Sequence, residues 1–162
     1  ETLTWKPEAW GNGAAVALAD DGAGGRALRV EMKAGAKDKV ALKYDIPSQD
    51  GRRLDLSGVK GIVLDVHNGY SGGFGMSLVL TTVGPDNAWR DFETKAIYLK
   101  PGWNRNVRFA LADARFKSRE TGWKSYDADL ANPSACGKVG VFLYNQGRIQ
   151  APVMIAMIRF ER

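Results

Sequence analysis

Short runs of alternating apolar and polar residues dominate this 162-residue chain, and they constrain its fold more than any other feature. Residues 27–33 (ALRVEMK) and 39–46 (KVALKYDI) alternate in this way, as do residues 76–82 and 153–160. A period of two predicts β-strands that bury one face, and 19 glycines favour tight turns between them. About nine or ten such strands, with almost no helical periodicity, predict an all-β fold, a two-sheet antiparallel β-sandwich or jelly roll.

The most regular strand pattern lies in residues 54–68, LDLSGVKGIVLDVHN. Its large apolar residues fall on one face, which we predict to be the core face: Ile62, Leu64 and Val66. Asp65 and His67 then point to the opposite face, because successive side chains of a strand alternate. Residues 27–33 and 39–46 are predicted to pair as a hairpin across the segment AGAKD.

Residues 86–111 predict a second hairpin, which we expect to carry the functional face. Its turn, Lys-Pro-Gly-Trp-Asn, suits type II geometry, since Pro101 presets φ and Gly102 tolerates a positive φ. The first strand places three candidate residues on one face: Trp89, Asp91 and Glu93. Asn106 and Arg108 are expected to face them from the second strand. Trp5, Trp10 and Trp103 are assigned to the core.

A polar face that also carries aromatic rings suits carbohydrate recognition. Flat rings stack on sugars at low entropic cost, while acids, amides and arginine bond the hydroxyl groups. The candidate residues are Asp65, His67, Trp89, Asp91, Glu93, Asn106, Arg108, Tyr144 and Gln146, with Trp89 and Tyr144 as platforms. Trp123 and Tyr126, in the long irregular segment 112–138, either wall one end of this cleft or pin their loop to the core. The alternative for the whole face is an ordinary solvated sheet surface.

Charge and cysteine content narrow the classes of function. The net charge is +5, from 23 basic and 18 acidic residues that are interleaved along the chain, which argues against a nucleic-acid partner. No apolar run is long enough to span a membrane. Cys136 is the single cysteine and His67 the single histidine, which leaves no disulfide and no His/Cys zinc site. With no repeat and no linker, residues 1–162 are predicted to form one module.

The order of the phrases LDLSGVKGIVLDVHN, MSLVLTT, LKPGWNRNVRFAL, KVGVFLYNQG and VMIAMIRFER resembles the galactose-binding-domain-like, jelly-roll carbohydrate-binding modules attached to glycoside hydrolases. The family eleven and family thirty types are similar, over residues 54–162. The resemblance implies a non-catalytic, monomeric module that binds a polysaccharide or oligosaccharide on a concave sheet face. It also implies a covalently linked catalytic domain and a secreted or periplasmic location, with no nucleic-acid or membrane partner.

The resemblance also bears on a metal ion. Such modules often carry a structural calcium ion, and many relatives have an aspartate in the last strand. The matching phrase here is MIAMI, with Ala156 in the acidic position. The last strand therefore does not support a calcium ion, whose presence stays open, and we predict no other cofactor.

Two other functions stay open. One is a jelly-roll glycosidase or polysaccharide lyase acting on a neutral or acidic glycan. It would use Asp91 and Glu93 as paired carboxyl groups, or His67, Tyr144 and Arg108 as base and charge neutraliser. No catalytic phrase of either class is recognisable in the sequence. The other is a protein-interaction domain with the same sandwich fold.

Overall fold

Twelve β-strands and one short 3-10 helix (Pro133–Ala135) make up the secondary structure that the computed structural model describes for residues 5–47 and 53–162. In chain order the strands are β1 (Lys6–Pro7), β2 (Ala14–Asp20), β3 (Arg26–Met32), β4 (Val40–Asp45), β5 (Gly61–Asn68), β6 (Phe74–Val83), β7 (Trp89–Glu93), β8 (Ile97–Leu99), β9 (Gly102–Ala110), β10 (Lys117–Ser118), β11 (Cys136–Tyr144) and β12 (Pro152–Glu161). No helix in this described part of the chain is long and apolar enough to cross a membrane.

The strands form two antiparallel sheets. The seven-stranded sheet has the order β1-β4-β11-β6-β7-β10, with β8 also paired to β6. The five-stranded sheet has the order β2-β3-β12-β5-β9. The prediction of a two-sheet antiparallel β-sandwich is confirmed.

Large apolar side chains from the inner faces of the two sheets form the core. The seven-stranded sheet contributes Leu42, Met76, Leu78, Leu80, Phe92 and Leu143, and the five-stranded sheet contributes Val30, Ile62, Leu64, Val66, Phe109 and Val153. The inward face predicted for β5 is therefore confirmed. The alternate residues of β6 and β7 necessarily point outward, away from this core.

Both predicted hairpins are wrong. β3 pairs with β2 and β12 in the five-stranded sheet, whereas β4 lies in the seven-stranded sheet. Likewise β7 pairs with β6 and β10, whereas β9 pairs with β5 in the opposite sheet. The short strand β8 stays with β6, and the chain then crosses between sheets at the Pro101–Gly102 turn. Gly102 has the expected positive φ of 81°. The predicted turn is therefore present, but it connects the two sheets instead of closing a hairpin.

A β-bulge in β9 changes which residues face outward. The register with β5 shifts between Leu64 and Val66, and Asn106 adopts a φ of 54°. Asp65 holds the bulge, because its carboxylate accepts the Asn106 backbone N–H at 2.8 Å and Arg105 Nη1 at 3.0 Å. These contacts, the Asn106 N–H first, lower the pKa of Asp65. Alternation resumes one residue out of step across a bulge, which brings Trp103 beside His67 at 5.2 Å between ring centres. The assignment of Trp103 to the core is wrong.

A buried pair of asparagines ties together three loops at one end of the sandwich. Asn12 Nδ2 donates to the Lys37 carbonyl at 2.7 Å and to Asn145 Oδ1 at 2.8 Å, while Asn12 Oδ1 accepts the Lys37 N–H at 2.9 Å. Asn145 Nδ2 in turn donates to the Lys33 carbonyl at 3.0 Å. Because both amides are buried, these bonds fix the loops without competition from water.

Replacing Asn12 with alanine should therefore lower the free energy of unfolding by about 2 kcal/mol, because the buried Asn145 oxygen and the Lys37 backbone groups lose their partner. Urea unfolding measures this as a lower midpoint at an unchanged m-value. The exposed Gln150→Ala variant is the control and should leave the midpoint where it is. Equal midpoints for the two variants would contradict the role given to Asn12.

Candidate functional site

The outer face of the seven-stranded sheet carries a groove of about 610 Å³. Strands β6, β7 and β11 supply its floor: Val79, Thr81, Asp91, Glu93, Gly140, Phe142 and Tyr144. Trp10 and Trp123 flank it, and Glu8, Asp38, Leu42 and four lysines line the remainder. A volume of this order is typical of pockets that bind small organic ligands.

Strand alternation puts the floor residues on one surface. Tyr144 and Phe142 are two residues apart in β11, and Asp91 and Glu93 are two apart in β7, so each pair projects to the same side. Gly140, two residues before Phe142 in β11, is also part of the floor. A Cβ atom there would lie 3.1 Å from the Leu42 carbonyl oxygen, so the glycine keeps this part of the floor low.

A buried carboxylate fixes the orientation of Tyr144. Glu93 is only 3% exposed, and its Oε1 accepts hydrogen bonds from the Tyr144 hydroxyl and, at 2.8 Å, from Ser77 Oγ. Burial, and then the bond to Glu93, raise the pKa of Tyr144 far above its ordinary value. Tyr144 is therefore a neutral phenol that donates to Glu93, and its ring is held in the floor of the groove.

The two flanking tryptophans come from loops. Trp10 is 49% exposed and packs edge-on against Phe142 at 5.2 Å. Backbone bonds on either side of it, from Glu8 N to Ala41 O and from Asn12 N to Lys39 O, both 2.8 Å, hold its loop against β4. Its assignment to the core is therefore wrong. Trp123, 41% exposed, follows β10 with a φ of 60°, and its N–H donates to the Ser118 carbonyl.

The structure divides the sequence-predicted site residues between the two sheets. Asp91, Glu93, Trp123 and Tyr144 line the groove, and Trp89 lies on the same side of β7, between Arg53 at 4.5 Å and Lys138 at 4.9 Å. Tyr126 is next to the groove, with Lys117 Nζ 4.8 Å from its ring. The exposed Gln146 follows β11, and its N–H donates to the carbonyl of Asp38, which lines the groove.

The other four candidates, Asp65, His67, Asn106 and Arg108, lie on β5 and β9 of the five-stranded sheet. The interpretation that all candidates share one face is wrong, because β7 and β9 belong to different layers. Polar groups on this second surface largely bond each other, as in Arg105–Asp65 at 3.0 Å and Arg108–Glu161 at 2.6 Å. The combination proposed for a lyase, His67 and Arg108 with Tyr144, is likewise not assembled.

Replacing Arg108 with alanine should accordingly leave polysaccharide binding unchanged, since its guanidinium pairs with Glu161 on the sheet opposite the groove. An exposed pair of this kind contributes about 0.5 kcal/mol to stability, so the fold should also be preserved. Affinity gel electrophoresis checks the first point and thermal unfolding the second. A loss of retention with an unchanged melting temperature would move the binding surface to the five-stranded sheet.

Several groove residues were missed at the level of sequence. Phe142 has a usable signal, since it precedes the predicted platform Tyr144 by two residues and must share its face. Trp10 has none, because it lies in a loop without periodicity.

The described residues offer no support for a metal ion. Within them, no group of three or more His, Cys, Asp or Glu side chains is arranged to hold one. Ala156 of the last strand pairs with Asp65, whose carboxylate already receives a guanidinium and a backbone N–H. These residues do not fit a calcium ion at that position of the last strand.

Comparison with known proteins gives structural matches only, since the sequence matches no protein-family model and no curated protein. A family 11 carbohydrate-binding module from Clostridium thermocellum, in complex with a β-1,3-1,4-mixed-linked tetrasaccharide, superimposes with a TM-score of 0.70 at 12% identity, covering 99% of this chain and 90% of that one. A family 28 module specific for non-crystalline cellulose gives 0.65 at 12% identity, with 98% and 87% coverage. The CBM22-1–GH10 modules of C. thermocellum xylanase 10B, complexed with xylohexaose, give 0.57 at 11% identity, with 98% and 26% coverage. The chain therefore has the β-sandwich fold of the family 11 and family 28 carbohydrate-binding modules.

Proposed function

We propose that residues 1–162 are a single, non-catalytic carbohydrate-binding module that holds a polysaccharide chain in the groove of the seven-stranded sheet. The observation that carries the proposal is the groove itself. It is open along a sheet face, with half-exposed tryptophans on its flanks and a hydrogen-bonded tyrosine in its floor. Rings of this kind stack on the apolar faces of sugars, and nearby acids and lysines bond the hydroxyl groups.

Six of the residues predicted from sequence belong to this proposal. Trp123 and Tyr144 act as stacking platforms, Asp91 accepts from sugar hydroxyls, and Glu93 orients Tyr144. Trp89 and Tyr126 extend the surface at its margins. Asp65, His67, Asn106 and Arg108 are outside the proposal, because they lie on the opposite sheet.

The similar structures support the same function. One of them is a family 11 module with a bound tetrasaccharide, and another combines a CBM22-1 module with a GH10 module. We infer by analogy that this chain is the targeting part of a secreted or periplasmic glycoside hydrolase and that it acts as a monomer. Affinity is expected to be modest, because both the groove and the sugar are hydrated before they meet.

The test is affinity gel electrophoresis against mixed-linkage β-glucan, xylan, mannan and an acidic polysaccharide, with parallel assays for newly formed reducing or unsaturated ends. We expect retention on at least one polymer and no product. Release of product would favour the glycosidase or lyase alternative. Absence of retention on every polymer would favour a protein-interaction domain.

A further inference from the structure

Positive side chains lie above aromatic rings in or beside the groove. Lys117 and Lys95 are 4.8 and 5.8 Å from the ring centre of Tyr126. Arg53 and Lys138 are 4.5 and 4.9 Å from that of Trp89, and Lys39 is 4.8 Å from that of Tyr144. A sugar stacked on one of these rings would thus have a cation beside it.

The carboxylates that line the groove already have partners. Glu8 pairs with Lys43 at 3.0 Å, and Asp38 pairs with Lys39 at 3.1 Å. Asp91 accepts the Thr81 hydroxyl at 2.5 Å. Glu93 is buried and accepts from the hydroxyls of Ser77 and Tyr144. Within the described residues, Glu8 and Asp38 are thus paired with lysines, and Asp91 and Glu93 accept from hydroxyl groups.

Lys95 and Lys117 differ from Lys39 and Lys138, which form ion pairs with Asp38 and Asp45. In the described part of the chain, neither ammonium group has a carboxylate within ion-pairing distance. Both face the ring of Tyr126, and Lys117 also lines the groove. A cation–π contact at an exposed site is weak, whereas a charge-assisted hydrogen bond to an anion is stronger. These two lysines are thus available to an acidic ligand.

We infer that the groove takes an anionic polysaccharide, with Lys95 and Lys117 binding a carboxylate or sulfate group of a sugar next to Tyr126. This inference rests on the proposed function, since it names the ligand class of the same groove. The net charge of +5 favours approach of a polyanion in general. The two lysines supply the specific contact.

The experiment compares polymers that differ only in their acid groups. Polygalacturonate is set against its carboxyl-reduced form, and carrageenan against its desulfated form, so that one pair tests carboxylate and the other sulfate. The binding variant is Lys95→Gln/Lys117→Gln. Its matched control, Arg29→Gln/Lys60→Gln, removes two positive charges from the five-stranded sheet and from the residue before β5.

The wild-type protein should be retained by at least one acidic polymer and less by its neutral partner, and added salt should weaken retention. The Lys95→Gln/Lys117→Gln variant should bind the acidic polymer about tenfold more weakly, and the control variant should bind it like wild type. Equal losses in both double variants would overturn the inference, because only net charge would then matter. Retention by neutral polymers alone would overturn it while leaving the proposed function standing. Failure to bind any polymer would overturn both.

Discussion

A Trp10→Ala/Trp123→Ala variant is expected to bind polysaccharide about 1000-fold more weakly than the wild-type protein. Tryptophans that become buried at a binding surface are among the residues that dominate binding energies. Truncating one such side chain to alanine costs about 2 kcal/mol or more. Two such losses amount to about three powers of ten in the dissociation constant. Both rings lie at the groove and are about half exposed in the free protein. A bound ligand can therefore bury their remaining apolar surface. Isothermal titration with a retained oligosaccharide measures the change.

The matched control is Phe160→Ala. Phe160 is 44% exposed, like the groove tryptophans, but it lies on β12 of the five-stranded sheet. Its removal should leave affinity unchanged. The melting temperatures of both variants show whether the fold survives. Undiminished binding by the double tryptophan variant would mean that the groove is not the binding surface.

The sequence predicts the inward faces of individual strands well, because alternation depends only on local geometry. Ile62, Leu64 and Val66 point inward as expected, and Phe92 of β7 lies in the core, opposite the face predicted for Asp91 and Glu93. The partners of a strand cannot be predicted in the same way. Nothing in the residues around Gly102 indicates whether the turn closes a hairpin or carries the chain to the other sheet, since the same positive φ serves both.

The candidate site shows the same limit. Asp91 and Glu93 were placed correctly relative to each other, because they share one strand. Asn106 and Arg108 were placed opposite them through an assumed pairing of β7 with β9, and that pairing does not exist. Trp10 reaches the groove from a loop. The path of that loop depends on long-range backbone hydrogen bonds to Ala41 in β4 and to Lys39 just before β4. Such contacts bring together residues that no local pattern relates.

The second large effect concerns Glu93. Its carboxylate accepts from both Ser77 and Tyr144 in a buried setting. A Glu93→Leu variant should lose about 3 kcal/mol of stability, because the buried Ser77 hydroxyl and the partly buried Tyr144 hydroxyl are left without an acceptor. It should also weaken polysaccharide binding, because the ring of Tyr144 is no longer held in the floor of the groove. Glu93→Gln keeps an acceptor oxygen and should lose less of both. Urea unfolding and titration calorimetry measure the two effects.

The ionisation of Tyr144 at alkaline pH gives a further test of its contact with Glu93. The pKa of Tyr144 is raised in the native protein, above about 10 for an unfolded tyrosine. The unfolded chain therefore loses this proton first, so the stability contributed by Tyr144 is complete below pH about 10 and is lost as the pH rises above it. A Tyr144→Phe variant lacks that loss while keeping the ring, and its stability should fall less steeply at alkaline pH.

In Glu93→Gln, the negative charge beside the phenol is gone, so the pKa of Tyr144 should fall towards its ordinary value. Ultraviolet absorbance of the phenolate follows this directly, with Tyr144→Phe as the blank. Combining Glu93→Gln with Tyr144→Phe should make the two stability effects non-additive, as expected for groups in direct contact. Strict additivity, or an unchanged phenol titration in Glu93→Gln, would mean that Glu93 does not hold Tyr144. The floor of the groove would then owe its shape to packing against β6 alone.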